Sequence, residues 1–272
     1  ITTPGFWEEF CSRVRAVNPE AYLVGEIWHA APEWTVRGDR FDGVMNYVLT
    51  EAVLRFAGGS SIDSAVVAPV NLTLQPPLDA AGYRQAIDRL LGIYPEAVGR
   101  GNLNLLGSHD TPRVLSMAGE DREAVTLAAA LLFTFSGAPC IYYGDEVGMT
   151  GHHDPGARGA FPWDRPITWD HSLLATFRSL AALRRAHPAL RRGSYRHLFA
   201  EGFVYAFCRE GDGERLVTVV NAGRESTAVR LPLPEHGVAE ARWCWGSGRA
   251  WVEGSDLRVE MPGRSAAVWS LH

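Results

Sequence analysis

No stretch of this 272-residue chain approaches the roughly 18 apolar residues of a membrane-spanning helix. No basic block occurs either. Lys plus Arg total 26 against 31 Asp plus Glu, and the net charge of −5 argues against nucleic acid. Neither a membrane nor a nucleic acid is therefore an expected partner. The four cysteines, Cys11, Cys140, Cys208 and Cys244, stand far apart and lack the paired spacing of a zinc site. Few and set in apolar contexts, they suit a reducing compartment, and the expected location is cytoplasmic. The start carries no charged and apolar pair of a secretory signal. Ile1 rather than Met stands first, as expected of a processed or excised piece. Internal repeats and low-complexity tracts are also missing.

What is present is core-forming. Hydrophobic residues make up 46% of the chain, and the length suits one large domain plus a small one. Nine Trp, eight Tyr and eleven Phe can pack such a core or offer flat faces for stacking against sugar rings. From Pro4 to about Arg192, strand-like and helix-like patterns alternate. Phe6, Phe10, Val14 and Val17 fall at helical spacing, and Pro19 stops that helix. Strands are predicted at Tyr22–Ile27, Val44–Leu49, Asn102–Leu106 and Cys140–Tyr143. Helices are predicted near Thr50–Phe56, Tyr83–Ile93, Arg122–Phe135 and Leu173–Arg185. Such alternation predicts a parallel sheet with crossover helices. Gly58-Gly59 and Pro76-Pro77 mark loops inside this region.

After Arg192 the pattern changes. Short β-rich segments recur at Val204–Arg209, Leu216–Asn221, Thr227–Leu231, Ala241–Trp245, Leu257–Met261 and Ala266–Leu271. Gly, Pro and Asp-Gly punctuation separates them, as at Gly211-Asp212-Gly213. An antiparallel β-sandwich is predicted there. The expected domains are thus 1–192 and 193–272.

Two stretches carry chemistry. In YLVGEIWH (Tyr22 to His29) an apolar run ends in Glu26, flanked by Ile27, Trp28 and His29. A charge at the end of a buried strand is costly unless solvated, paired or protonated. Apolar, aromatic surroundings raise a Glu pKa, which suits a general acid; an ordinary solvated Glu is the alternative. In NLNLLGSHD (Asn102 to Asp110) a second apolar run ends in Gly107, Ser108, His109 and Asp110, with Thr111-Pro112 behind. Asp110 can be a helix N-cap with Pro in the first turn. Yet strand, small residue, carboxylate and helix now occur twice. Catalytic groups of (β/α) barrels sit at the C-terminal ends of several strands, and paired carboxylates are the equipment of glycoside hydrolysis.

YLVGEIWH, VMNY (Val44–Tyr47), NLLGSHDT (Asn104–Thr111) and PCIYYGDEVGMTG (Pro139–Gly151) resemble the α-amylase family, glycoside hydrolase family 13. The likeness is greatest to its neopullulanase, cyclomaltodextrinase and maltogenic amylase group, and runs in order from about Phe6 to Asp164. It implies an α/β fold: the C-terminal half of a (β/α)8 TIM barrel followed by a small all-β antiparallel sandwich. It implies Glu26 as general acid/base and Asp110 as the carboxylate that grips sugar hydroxyls and stabilises the transition state. His109 would bond hydroxyls of the same sugar, and Trp28 would be an aromatic platform beside the scissile bond, with a core Trp as the alternative. Asn46 and Tyr47 end a strand and are expected to line the cleft or to serve structure. Tyr142 and Tyr143 are read as packing, Asp145 as a supporting residue, and the Gly151–Trp163 loop with Asp154 and Arg158 as cleft border or solvated loop.

One family element has no match. The nucleophile Asp, in a motif like GFRLD on the strand before that of the acid, is absent, and ITTPGFWEEF resembles the segment just after it. The expectation is a C-terminal portion of a retaining α-glucan hydrolase, inactive alone. It would act on α-1,4 bonds, with α-1,6 left open, in cyclodextrin, pullulan or maltooligosaccharides, and transfer to a sugar hydroxyl would give transglycosylation. The alternative is a non-catalytic amylase-like binding or scaffold protein. No cofactor is expected. Calcium in this family is structural where present, and no ligand cluster for it stands out. Expected partners are α-glucan oligosaccharides and the missing N-terminal half of the barrel, or further copies of the chain.

Overall fold

The computed structural model describes residues 3–233 and 238–272. Its first part alternates helices with very short strands: α1 (Phe6–Val17), β1 (Val24–Gly25), β2 (Gly43–Val44), α2 (Tyr47–Ala57), α3 (Ser64–Val67), α4 (Ala80–Ile93) and α5 (Glu96–Gly101). Then come β3 (Leu103–Asn104), α6 (Val114–Met117), α7 (Arg122–Thr134), β4 (Ala138–Pro139), α8 (His171–Ala186) and α9 (Pro188–Arg192). β1 pairs with β2 and β3 with β4, both parallel, and a parallel bridge from Met45 to Leu103 joins the two pairs. The result is one wall in the order β1-β2-β3-β4, half of the eight strands of a closed barrel. Backbone bonds continue the ladder past the strand ends, as from the Met45 N–H to the Gly25 carbonyl and from the Asn46 N–H to the Leu103 carbonyl. Gly43 is required here, since a Cβ would strike the Gly101 carbonyl at the end of α5.

Side chains at the helix starts explain where strand becomes helix. Asn46, Asp63, Asp79, Asp121 and Asp170 accept backbone N–H bonds at the starts of α2, α3, α4, α7 and α8, meeting donors that helices leave unpaired. The cap at Asn46 corrects the predicted strand Val44–Leu49: Asn46 accepts from the Leu49 N–H, so helix begins at Tyr47. The last strand lies at Ala138–Pro139, just before the predicted Cys140–Tyr143.

The second part holds β5 (Ser194–Glu201), β6 (Val204–Gly211), β7 (Glu214–Asn221), β8 (Thr227–Pro232), β9 (Ala241–Gly246), β10 (Arg249–Glu253), β11 (Asp256–Met261) and β12 (Ser265–Leu271). They form antiparallel sheets ordered β5-β6-β7-β12-β9 and β10-β11-β8. β6 reads as unbroken apolar VYAFC because both its faces are covered. Val204, Ala206 and Cys208 meet the three-stranded sheet, while Tyr205 and Phe207 join the helices' core. Sequence reading missed β5 and β10. Both are edge strands whose many polar residues hide the alternation.

Two buried arginines lock helices, wall and sandwich together. The chain contains no lysine, so every long cation carries a planar, five-donor guanidinium. Arg184 of α8 donates to the carbonyls of Phe133, Phe135 and Gly137 at the end of α7. Arg209 of β6 donates to Thr134, Gly193 and Ser194 carbonyls at 2.8, 2.9 and 3.0 Å. Burial pushes both down to about 10, so they remain cations at neutral pH, where the negative end of α7 favours positive charge. Arg264, between β11 and β12, adds a third tie through the Ala57 carbonyl and Asp121. Arg209→Met should keep the volume but strand these carbonyls. A loss of unfolding free energy on the order of 3 kcal/mol is expected, read by urea denaturation; a loss below about 1 kcal/mol would contradict the role.

Candidate active site

Glu26, His109 and Asp110 come together at the C-terminal ends of the parallel wall. Glu26 follows β1 directly. A Cβ on the preceding Gly25 would lie 2.8 Å from the Phe41 ring, so a residue without a side chain is needed for this close approach. His109 and Asp110 lie in a turn beyond β3, held by the Ser108 N–H donating to Thr111 Oγ1 and the Asp110 N–H donating to Ser108 Oγ. His109 Nε2 is 3.9 Å from Glu26 Oε1 and 3.4 Å from Asp110 Oδ1. Asp110 caps no helix. α6 begins at Val114 with Arg113 at its cap position, and Asp110 Oδ1 instead accepts from Arg158 Nη2 at 2.9 Å.

Trp28 stacks flat on Tyr47, with centroids 4.0 Å apart and planes 10° from parallel. Tyr47, only 1% exposed, donates its hydroxyl to Ser108 Oγ, and burial pushes that hydroxyl up to about 12. One stack thus links the segment after β1 to the turn that carries His109. Asn46, 3% exposed, donates to Asn104 Oδ1 besides capping α2. Asn46 and Tyr47 adjoin the site with their polar atoms committed to protein partners. The Glu26 side chain keeps 43% of its exposure. It lines a cavity of about 1010 Å³ beside β1, together with Trp7, Phe10, Tyr22, Trp34 and Phe41.

Arg158 was read from sequence only as a residue of a bordering or solvated loop. Its Nε donates to the His109 carbonyl at 3.0 Å and lies equally close to Asp154 Oδ1, so the loop is tied to His109 and Asp110. Arg113 escaped sequence reading altogether. It is fully buried beside Asp145, with Nη1 3.4 Å from Oδ1. Its position three residues beyond Asp110 was the one local signal.

Glu26, His109 and Asp110 offer ligand atoms within 4.8 Å of one another, which could hold a metal ion. One nitrogen and two carboxylates do not make the six-to-eight-oxygen cage that calcium requires. Among the described residues no other such cluster of three occurs. As it stands, the trio can hold and pass protons, accept hydrogen bonds from sugar hydroxyls and carry negative charge beside a developing cation.

Residues 2–171 match the family model described as alpha amylase, catalytic domain. The chain is 38% identical over 234 residues to a cyclomaltodextrinase of Geobacillus thermopakistaniensis, covering 85% of this chain and 37% of that protein. It is 34% identical over 255 residues to neopullulanase 2 of Thermoactinomyces vulgaris, covering 91% and 38%. The native form of the Nostoc punctiforme debranching enzyme superposes with a TM-score of 0.93 at 40% identity, over 99% of this chain and 56% of that one. The chain therefore spans well under half the length of the two curated relatives.

Asp145 supplies a pH dependence. Burial pushes its carboxyl from an ordinary 3.8 up to about 7, against the pull of Arg113. Between those values the folded protein keeps a proton that the unfolded chain has released. The resulting stabilisation is complete below about pH 4 and is lost as pH rises through about 7. Asp145→Asn removes the titration. The melting temperature of the wild type minus that of the variant should therefore fall from pH 4 to 7 and level off above, and a flat difference would contradict this.

Proposed function

The chain belongs to the α-amylase family, and on that premise we propose that it is the acid/base-bearing part of a retaining α-glucan hydrolase. The observation that carries the reading is the convergence of Glu26, His109 and Asp110 beyond the C-terminal ends of the parallel strands β1 and β3. In the proposed reaction a carboxylate from a strand seated against the free edge of β1 attacks the anomeric carbon. Glu26 gives its proton to the departing glycosidic oxygen as that bond breaks. Glu26, now ionised, takes a proton from water whose oxygen displaces the enzyme carboxylate, so configuration is retained. A sugar hydroxyl in place of water gives transglycosylation. Asp110 and His109 grip hydroxyls of the reacting sugar, and Trp28, backed by Tyr47, offers it a flat apolar face. Asn46 supports that floor from below. No cofactor takes part.

The substrate class follows from the relatives' names, which point to cyclic and branched α-glucans; maltooligosaccharides are the simplest probes. Four free cysteines fit a reducing, cytoplasmic setting. The open β1 edge and its aromatic-lined cavity are the proposed seat for the remaining barrel strands. With that seat empty the chain is expected to self-associate, and a concentration-independent monomer by light scattering would count against this.

Alone, the chain is expected to bind maltotriose without turning it over, because its sequence has no match to the family's nucleophile motif. Enzyme-like turnover would overturn that expectation. Joined to the strands bearing the nucleophile, it is expected to hydrolyse α-glucans. There Glu26→Gln should lower kcat by about 10²–10⁴-fold on unactivated substrates. The first step should suffer less with a good leaving group, which needs little protonation. Equal losses on both substrates would remove Glu26 from the acid role. Binding with no turnover even in the joined protein would instead favour a non-catalytic sugar-binding member.

A further inference from the structure

Arg113 occupies a costly position. Its side chain is fully buried, Nη1 donates to the Tyr143 carbonyl, and among the described residues Nε and Nη2 have no hydrogen-bond partner. A guanidinium stays charged in proteins, and burying charge without full pairing is unfavourable. Two aromatic faces supply what the missing bonds do not. The Arg113 carbon lies 4.3 Å from the Tyr142 ring centre and 4.6 Å from that of Tyr143, and desolvation strengthens such contacts.

The far ends of those rings reach the loop that holds Arg158. Tyr143 donates its hydroxyl to the Gly159 carbonyl at 3.0 Å, and Tyr142 donates to the Ala157 carbonyl at 3.4 Å. These carbonyls flank Arg158 on both sides. Arg158 in turn donates to Asp110 Oδ1 and to the His109 carbonyl. The Arg113 N–H donates to the Gly151 carbonyl at the start of the same loop. The path from Asp110 through Arg113, the two tyrosines and Arg158 returns to Asp110, so it is a closed circuit.

We propose that Arg113, acting through Tyr142 and Tyr143, is a positioning residue that holds Arg158 on Asp110 and so orients the carboxylate that grips the sugar. The inference rests on the reading of Asp110 given above, but the geometric part can be tested without sugar. Without the circuit, Arg158 sits on an exposed loop, free to swing into water. With it, one oxygen of Asp110 is occupied and its plane is set before substrate arrives, which removes an ordering cost from binding.

The test uses the full chain and two readouts. The first is the Nε–Hε resonance of Arg158 by NMR, assigned by its disappearance in Arg158→Lys. It should be sharp and protected in the wild type. Tyr142→Phe/Tyr143→Phe keeps both rings on Arg113 but removes the hydroxyls, and should raise the solvent exchange of that proton at least tenfold. Arg113→Met should do the same, and Arg113→Lys, which retains a cation against the rings, should restore part of the protection. If the double variant does not fold, Tyr143→Phe alone carries the comparison. The second readout is maltotriose affinity, expected to weaken roughly tenfold in the double tyrosine variant, the size of one lost bond to a charged group. An Arg158 signal unchanged in both the tyrosine and Arg113→Met variants overturns the proposal, whatever the affinities. If the wild type fails to bind maltotriose, the functional reading falls, and the Arg158 signal still decides whether the circuit exists.

Discussion

The carbonyl groups at the C-terminal end of α7 are the constraint on which the rest depends. A helix leaves its last carbonyls unpaired, and here that end is buried, where unpaired acceptors are costly. Arg184 and Arg209 reach it from opposite directions, one from the barrel layer and one from the sandwich. The turn they hold leads straight into β4, whose pairing with β3 sets the height of residues 140–145 above the wall. Tyr142, Tyr143 and Asp145 stand at that height around Arg113. A pair of charges some distance from the cleft thereby governs where the cleft's loops are anchored.

The site itself is built to opposite rules on its two sides. Behind Asp110, Arg113 and Asp145 are buried, and low solvation keeps the Asp145 carboxyl protonated to about pH 7. In front, Glu26, His109 and Asp110 each keep substantial exposure. The buried half supplies rigidity, and the exposed half supplies groups that still have bonds to give. Such a division is consistent with the sugar-gripping role proposed for Asp110 and His109.

The partial barrel shows in the distribution of apolar surface. Phe6, Phe10 and Tyr22 are exposed beside β1, whereas the helical layer, where α7 meets α2, α8 and the sandwich, is closed. The five-stranded sheet shares its inner face with the helices, so the sandwich is part of the wall's support and not an appendage.

Features set by near neighbours were legible in the sequence. Glu26 after Gly25, and His109-Asp110 after Gly107-Ser108, announced themselves because a buried strand ending in a carboxylate is a local pattern. The buried strands β6, β7 and β12 were equally plain, and the family likeness rested on such short stretches. The edge strands β5 and β10 were not, since their polar residues follow from position in a sheet that does not yet exist in the sequence. Asn46 read as the end of a strand until its cap bond to the Leu49 N–H placed it at the start of a helix. The helix-cap reading of Asp110 was excluded by a helix that starts only at Val114, and its bond to Arg158, 48 residues away, had no local sign. Arg113 bore no mark beyond its place three residues after Asp110, because a buried charge is defined by what other elements bring to it. The sequence by itself determined periodicity, strand ends and the carboxylates they present, since these rest on neighbouring residues. Only the tertiary structure decided which charge meets which, because the partners of Arg113, Arg158, Arg184 and Arg209 exist only once distant segments have packed and excluded water.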